Sequence, residues 1–217
     1  ALQKLRYDPV ADFEPIGLVN SGPMVVVAKK ATQATTLKEL FETWAAGSEK
    51  ITLGHAGIGS TSWMCGLQIT NVLGKKLTFV TYRGTAPSLN DVVAGQIDGM
   101  CDLAVTALAQ IQAGTVKAYG ATSTARLEQI KDVPTTREAG YPKLDMVVWN
   151  GLYAPKGTPK AVIDKLSAAL QEALKDPTLK QRFNDLGTDP VDPKRGTPEA
   201  LRSHLKAEID KWAPVIK

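Results

Sequence analysis

The sequence predicts an α/β fold with a mostly parallel sheet, and three observations support this fold class. Short β-branched or apolar runs alternate with amphipathic segments between residues 24 and 122. Turns that contain glycine, such as those at Gly57 and Gly84, separate the two kinds of segment. Beyond residue 155 the pattern is purely helical. Strands that alternate with helices in this way are typical of βαβ units, whose strands run parallel.

The predicted strands are short and apolar, as buried strands are. The first occupies residues 24–28, directly after the turn-forming pair Gly22 and Pro23. The later strands are predicted at residues 51–54, 77–81, 97–102, 116–122 and 146–149.

Residues that cap helices predict the helix boundaries. Thr36 and Glu39 have the spacing of a capping box, and Gly47 is the predicted end of that helix. Near the C-terminus, Thr158 is the predicted N-cap and Pro159 the first residue of a helix. Two further helices are predicted to begin at residues 177 and 197–198. The apolar stripes of these last three helices are Val162, Leu166, Leu170 and Leu174; Leu179, Phe183 and Leu186; and Leu201, Leu205, Ile209 and Trp212.

Composition excludes several classes of protein. With 217 residues, 43% of them apolar, the chain can form one large domain or two small lobes. Its net charge of +4 suits an anionic ligand. Lys and Arg are scattered and form no basic stripe interleaved with aromatic residues, so nucleic acid is not an expected partner.

No catalytic or metal-binding motif is present. The sequence has two histidines, His55 and His204, and lacks GxSxG, HExxH and Walker patterns. His204 is predicted on the solvated side of the last helix. His55 is predicted to be a loop residue, with contact to a ligand as the alternative. We therefore expect no enzymatic activity, no metal and no cofactor.

The turn from Gly57 to Thr61 joins a predicted strand to a predicted helix and is the first candidate binding site. Gly57 and Gly59 would let backbone N–H groups approach a ligand, and the helix N-terminus would favour an anion. Ser60 and Thr61 would add hydroxyl donors. A carboxylate fits these groups, and a tight turn with an N-cap is the alternative explanation.

A second strand–helix junction, at residues 82–85, repeats this arrangement with Tyr82, Gly84 and Thr85 as candidates. Parallel sheets bind ligands at the carboxyl ends of their strands, where both turns would lie. Asp102 ends a third predicted strand, and it would either accept a hydrogen bond from the ligand or cap the next helix. Trp149 would either line the same crevice or pack in the core.

The two cysteines, Cys65 and Cys101, allow one disulfide or two buried thiols. Composition favours the thiols, because free cysteine packs like a small apolar residue.

Short motifs follow one another in a fixed order along nearly the whole chain. They are Tyr7-Asp8-Pro9, Phe13 with Pro15-Ile16, Thr36-Leu37 with Glu39-Leu40, Gly57-Ile58-Gly59, Tyr82 to Pro87, Asp91, Gly95 to Asp98, Asp102, Pro134-Thr135 with Glu138 to Gly140, Trp149 to Pro159, and Leu186-Gly187. Through these motifs the chain resembles the Bug/TctC substrate-binding proteins of tripartite tricarboxylate transporters.

The resemblance implies a periplasmic-binding-protein-like (type II) α/β fold with two lobes. Lobe two would comprise residues 22–144, and lobe one residues 1–21 and 145–217. Lobe one would be incomplete at its N-terminal side, because relatives begin with a further α/β segment. Three compensations are open: a separate front segment stays bound, another chain completes the lobe, or the C-terminal helices fold back onto lobe two. The resemblance also implies a disulfide between Cys65 and Cys101.

In function, the resemblance implies an extracytoplasmic, periplasmic protein that captures a small carboxylate for the membrane permease of a tripartite tricarboxylate transporter. The alternative is a periplasmic sensor that presents its ligand-bound form to a signalling partner. Two departures from the family pattern leave the ligand's identity open. Trp63 stands where relatives often have His, and residues 103–105 replace a more polar stretch.

Overall fold

The computed structural model describes residues 6–216 and divides into two compact units. Unit 1 comprises Ala1–Ser21 and Trp149–Lys217, and unit 2 comprises Gly22–Val148. Residues 1–5 and 217, which belong to the predicted lobe one, lie outside the described residues. The second boundary falls after residue 148, inside a strand, rather than at residue 144. The assignment of the units to the two lobes stays a prediction.

The sheet of unit 2 is mostly parallel, as predicted. Its strands are the second half of β1 (Phe13–Lys29), β2 (Thr52–His55), β3 (Thr78–Thr81), β4 (Gly99–Leu103) and β5 (Val116–Ala121). They lie in the order β3-β2-β4-β1-β5, and β2 pairs in parallel with β3 and β4. Because β1 pairs antiparallel with both β4 and β5, it is the one strand of this sheet, among those described, that runs against the others.

β1 is longer than predicted and passes through a predicted turn. It begins at Phe13 rather than at residue 24, and Gly22 and Pro23 lie within it. Proline has no N–H to donate, so it fits the point where β1 passes from the partners of unit 1 to those of unit 2. Residues 24–28 are fully buried, which accounts for the apolar, β-branched run in the middle of the sheet.

The helices of unit 2 are α1 (Leu37–Gly47), α2 (Thr61–Leu73), α3 (Thr85–Val93) and α4 (Ala104–Gln112). α1 begins where its capping residues predict, since the Thr36 Oγ1 accepts a hydrogen bond from the Glu39 N–H at 3.2 Å. The Glu39 carboxylate instead accepts from the Thr35 N–H at 2.7 Å, so the reciprocal half of the box is displaced by one residue. The side chains of α1 that are buried are Leu37, Leu40, Phe41 and Trp44.

Asp98 holds β1, β2 and β4 together at the amino ends of the parallel strands. Its Oδ2 accepts hydrogen bonds from the Thr52 N–H and hydroxyl, both at 2.8 Å, and its Oδ1 lies 2.7 Å from the Lys29 Nζ. Burial opposes the ionisation of Asp98, but the Lys29 ammonium and the Thr52 donors lower its pKa overall. These contacts fix the register of β2 beside β4.

Unit 1 contains the first half of β1 together with β6 (Val147–Pro155), β7 (Asp189–Pro190), α5 (Lys160–Ala173), α6 (Pro177–Asp185) and α7 (Pro198–Ile216). Both β6 and β7 pair with β1. The prediction of a purely helical C-terminal part is therefore wrong at β7, a strand too short to show a period of its own. Within the described part of the chain, no helix has both the length and the apolar character needed to cross a membrane.

The predicted helix starts hold for α6 and α7 and are wrong by one residue for α5. Pro159 is the N-cap of α5 rather than its first residue. Thr158, the predicted N-cap, donates its hydroxyl proton to the Pro155 carbonyl at 2.7 Å and so closes the preceding turn.

The buried face of α5 is rotated away from the predicted apolar stripe. Ile163 is buried, whereas Val162 and Leu166 are 45% and 40% exposed. Leu174, at the C-cap of α5, is fully buried, as predicted. The core of this part of unit 1 consists of Leu18, Leu174, Val191 and Leu201. The expected association with another chain stays a prediction.

A disulfide joins α2 to β4, as the resemblance implied. Cys65 in α2 is bonded to Cys101 in β4, and their Cα atoms lie 5.9 Å apart. Both residues are buried. The bond therefore fixes the first turns of α2 against the carboxyl half of β4.

Reduction of this disulfide should destabilise the folded protein. The bonded residues are 36 positions apart, and the chain-entropy model assigns about 4 kcal/mol to a loop of that size. Urea unfolding with and without a reductant measures the loss. The double variant Cys65→Ala, Cys101→Ala is the control, because its unfolding should not respond to the reductant. Equal stability of the oxidised and reduced wild type would contradict this expectation.

Candidate functional site

Three strands of unit 2 end side by side at one edge of the sheet. β2 lies between β3 and β4 and is parallel to both, with His55 opposite Thr81 and Gly54 opposite Met100. In parallel sheets this edge is where ligands bind. We call the residues at these strand ends, 56–61, 82–85 and 102–104, the carboxyl edge.

Each strand leads into a helix, so the N-termini of α2, α3 and α4 all begin at the carboxyl edge. The first N–H groups of a helix have no partner within the helix, and the N-terminus carries about half a positive charge. In α3 and α4 no side chain caps these groups, because neither Gly84 nor Leu103 makes a capping hydrogen bond. The edge therefore offers main-chain donors to an anion.

The first loop has a conformation that favours glycine. Gly57 and Gly59 have φ angles of 114° and 84°. A Cβ at Gly57 would meet nothing within 4 Å, so the positive φ angle, rather than close packing, favours glycine there. Ser60 caps α2, since its Oγ accepts a hydrogen bond from the Trp63 N–H at 3.2 Å. The capped turn, the alternative explanation of this sequence, is thus present, and ligand binding by residues 57–61 stays a prediction.

His55 links the loop after β2 to the end of β3, where the second loop begins. Its Nδ1 accepts a hydrogen bond from the Gly57 N–H at 3.1 Å, and its Nε2 lies 3.1 Å from the Thr81 Oγ1. Because Nδ1 accepts, the proton of the neutral ring is on Nε2, which donates to Thr81. Burial lowers the pKa of His55. The prediction of a loop residue is wrong, since His55 is a buried strand residue that positions the loop.

Ser62 holds the same loop from the other side and was not predicted. Its Oγ accepts a hydrogen bond from the Ala56 N–H at 3.0 Å and lies 3.1 Å from the Ser60 Oγ. The run of hydroxyl residues at 60–62 is the sequence feature that could have indicated this role of Ser62. Capping rules single out only its first residue, which is why the second serine was missed.

The tyrosine of the second loop, Tyr82, makes a hydrogen bond within unit 2. The Tyr82 hydroxyl donates to the Asp91 Oδ2 at 2.6 Å. Burial and this carboxylate together raise the pKa of Tyr82 to about 12. Its proton is therefore not available to a carboxylate ligand. Gly84, with a φ angle of 124°, and Thr85, the first residue of α3, lie at the N-terminus of that helix, and their contact with an anion stays a prediction.

Asp102 lies at the carboxyl edge but beneath its surface. It is 1% exposed, and its Oδ2 lies 2.8 Å from the Thr106 Oγ1. The predicted alternative, a cap for the next helix, is wrong, because Leu103 is the N-cap of α4 and no side chain caps it. The Oδ1 atom of Asp102 is buried and has no hydrogen-bond partner. Contact between Asp102 and a ligand stays a prediction.

Trp149 belongs to unit 1 and contacts the core of that unit. Its ring meets the His204 ring edge-on, with centroids 4.8 Å apart. It also packs against the cluster that contains Leu18 and Leu201. His204 is half-buried, so the prediction of a solvated side chain holds only in part, since its Nε2 is buried and has no hydrogen-bond partner while its Nδ1 lies 3.4 Å from an Arg195 nitrogen in an exposed contact. Trp149 is thus half-buried against the core of unit 1, and its role towards a ligand stays a prediction.

The donors at the carboxyl edge are mostly main-chain amides and hydroxyl groups. The exposed basic side chain there is Arg83, next to Gly84. Within residues 6–216, no cluster of three or more His, Cys, Asp or Glu side chains could hold a metal ion. Amides and hydroxyls at helix N-termini suit the binding of a carboxylate.

Sequence comparison assigns the whole chain to one family. The family model described as the tripartite tricarboxylate transporter family receptor, TctC, matches residues 1–217. The UPF0065 protein of the TAR-I ttuE-ttuC' intergenic region of Agrobacterium vitis is 40% identical over 212 residues, which make up 98% of this chain and 61% of that protein. The chain thus spans about three fifths of the length of this curated relative.

Solved structures share the fold. The periplasmic binding protein BugD is 41% identical with a TM-score of 0.88, over 96% of this chain and 70% of its own. MatC from Rhodopseudomonas palustris, solved with bound malate, is 35% identical with a TM-score of 0.90, over 99% of this chain and 73% of its own. These matches confirm the predicted periplasmic-binding-protein-like α/β fold class, and the proteins matched are binding proteins rather than enzymes.

The neutral His55 ring should make stability depend on pH below about 6.5, the ordinary pKa of histidine. Above that pH the ring is neutral in both folded and unfolded chains. Below it the unfolded chain takes up the proton first, so the free energy of unfolding falls, by about 1.4 kcal/mol per unit by which folding lowers the pKa. Urea unfolding at pH 7.5 and pH 5 measures this fall.

The variant His55→Asn isolates the effect, because an amide oxygen can accept the Gly57 N–H and does not titrate. It should show a smaller loss of stability than the wild type between the two pH values. His204→Asn is the matched control, and it should keep the part of the loss that His55 causes. Identical pH dependence in wild type and His55→Asn would show that the ring is not held neutral.

Proposed function

The chain belongs to the tripartite tricarboxylate transporter receptor family, and from this premise we propose that it binds a small carboxylate at the carboxyl edge of unit 2. One observation carries the proposal, which is that three helix N-termini begin at the same edge and two of them lack a side-chain cap. Helix N-termini attract anions through free N–H groups and partial positive charge. The bound malate of MatC, a relative of the same fold, is an anion of this class.

Two parts of the edge have separate tasks in this proposal. The N–H groups of Gly57 and Ser60 already donate to the His55 ring and the Gly57 carbonyl. The first loop would therefore bring the N–H groups of Ile58 and Gly59 to the ligand, and Ser60 and Thr61 would add hydroxyls at the start of α2. The loop of Gly84 and Thr85 presents the uncapped N-terminus of α3. Since the Tyr82 proton is engaged by Asp91, Tyr82 contributes its ring or its oxygen lone pairs rather than a donor.

We propose further that the protein acts outside the cytoplasm and passes its ligand to the membrane permease of a tripartite tricarboxylate transporter. The family and the periplasmic relative BugD support the compartment, and the buried disulfide suits an oxidising one. Affinity capture from a membrane extract with malate present is the test of the partner. Capture of a signalling protein instead of a permease would favour the sensor alternative.

A carboxylate screen tests the binding proposal. Thermal unfolding of the full chain is followed with malate, longer dicarboxylates, aromatic monocarboxylates and amino acids as probes. A ligand that binds only the folded state stabilises it by about 2.7 kcal/mol at a hundredfold excess over Kd. At least one probe should raise the unfolding temperature. If none does, the proposed function is wrong.

A matched pair of variants at residue 60 tests the site. Asp and Asn both cap helices about as well as Ser, so Ser60→Asp and Ser60→Asn should both fold. Asp adds a negative charge at the N-terminus of α2, where two like charges 4 Å apart repel by about 4 kcal/mol in a protein-surface environment. Titration calorimetry should show at least about a tenfold loss of affinity for Ser60→Asp and a much smaller change for Ser60→Asn. Equal affinities would place the ligand elsewhere.

A further inference from the structure

Asp102 is a buried acid without a cationic partner. It is 1% exposed, and its Oδ1 atom has no hydrogen-bond partner. An isolated ionised carboxylate in such a place is costly, and proteins commonly avoid that cost by keeping the group protonated. Burial accordingly raises the pKa of Asp102, against the smaller lowering effects of the Thr106 hydroxyl and the Leu103 amide.

The elements around Asp102 supply no positive charge that could pair with it. α2 and α4 carry no Asp, Glu, His, Lys or Arg residue at all. The exposed Arg83 lies in the loop before α3. The titratable groups on the other elements of unit 2 around Asp102 are already engaged. They are His55 on β2, bonded to Gly57 and Thr81; Asp91 on α3, bonded to Tyr82; and Lys29 on β1, paired with Asp98 at the opposite edge of the sheet.

The two short contacts of the Thr106 hydroxyl are a second, independent indication that Asp102 is protonated. The Thr106 Oγ1 lies 2.7 Å from the Leu103 carbonyl oxygen and 2.8 Å from the Asp102 Oδ2. A hydroxyl has one proton, and a carbonyl oxygen can only accept it. If Asp102 were ionised, the single proton would have to serve two acceptors. If Asp102 is protonated on Oδ2, it donates to Thr106, which donates to Leu103, and both short contacts are hydrogen bonds.

The protonation state of Asp102 matters because of where it lies. Asp102 directly precedes Leu103, the N-cap of α4. The N-terminus of α4 is one of the three helix N-termini in the proposed ligand site. An ionised Asp102 would compensate the positive end of α4 and repel an incoming carboxylate. A neutral Asp102 leaves that end free for the ligand.

We propose that Asp102 is a neutral carboxylic acid beneath the N-terminus of α4, and that carboxylate binding at the carboxyl edge is coupled to its protonation. The coupling rests on the proposed function, whereas the neutral state of the free protein does not. Linkage is reciprocal, so a bound carboxylate strengthens the hold of Asp102 on its proton, and ionisation of Asp102 weakens ligand binding by the same factor.

The neutral state is tested without any ligand, by urea unfolding of wild type and Asp102→Asn from pH 5 to pH 9. The amide is uncharged at every pH and can still donate to Thr106. As the pH rises, the unfolded wild type ionises residue 102 before the folded protein does, so wild-type stability falls relative to the variant. The unfolding midpoint of Asp102→Asn should therefore lie above that of the wild type at pH 8 to 9, with a smaller gap at pH 5.

Asp98→Asn is the matched control on the same sheet. Ion pairing lowers the pKa of Asp98, so this variant should be less stable than the wild type across the same pH range. If Asp102→Asn behaves like Asp98→Asn, with a midpoint below the wild type at pH 8 to 9, Asp102 is ionised in the folded protein and the proposal is overturned.

The coupling is tested by calorimetric titration with the carboxylate that binds in the screen, malate being the first probe, between pH 6 and pH 9. Wild-type affinity should fall with rising pH, by up to about tenfold per pH unit for one linked proton. The affinity of Asp102→Asn should stay constant over that range. Equal pH profiles in the two proteins would overturn the coupling. Failure of every carboxylate to bind would overturn the proposed function and with it the coupling, while the ligand-free unfolding result would stand.

Discussion

The parallel pairing of β2 with both β3 and β4 is the constraint on which the candidate site depends. Each of these strands is followed directly by a helix, so their common direction places three helix N-termini at one edge. Asp98 fixes the register at the amino ends, and the Cys65–Cys101 disulfide ties α2 to β4 near the carboxyl ends. Both contacts hold the strand ends in place, and the main-chain donors of the edge are thereby arranged before any ligand arrives.

Main-chain donors would let a site with few charged groups bind the anion that we propose as its ligand. Two of the three helices have no side-chain cap, so their first N–H groups are not satisfied by a neighbouring side chain. The side chains that support the carboxyl edge are buried beneath its surface. The neutral ring of His55 links Gly57 to Thr81, and the carboxyl group of Asp102 contacts Thr106. With both groups uncharged, as we propose for Asp102, the positive ends of the helices are left to the ligand.

Local chemistry allowed part of this structure to be predicted from the sequence. The cap at Thr36 depends on residues three apart, and the glycine turn at Gly57 depends on a backbone angle that one residue determines. The alternation of strand and helix patterns also sufficed for a mostly parallel sheet. The disulfide and the two-lobed fold class came from the resemblance to a family, since spacing alone left the cysteines open.

What was missed depends on contacts between distant residues. The place of β1 between β4 and β5, and its antiparallel direction, follow from pairing with residues far along the chain. One miss is local, because Thr158 could cap a helix or close a turn, and the Pro155 carbonyl only three residues away decides between them. The burial of Asp102 and the contact of Trp149 with His204 likewise depend on what packs around them, which no local pattern reports.

A carboxylate that binds at the carboxyl edge would contact its main-chain N–H groups. The most direct measurement is an NMR titration of backbone amide resonances of the ¹⁵N-labelled chain with malate or another carboxylate that binds. We expect the largest shifts at Gly57 to Thr61, at Gly84 and Thr85, and at Ala104, the first residue of α4. Shifts confined to unit 1, or to the amino ends of the strands around Asp98 and Thr52, would contradict it.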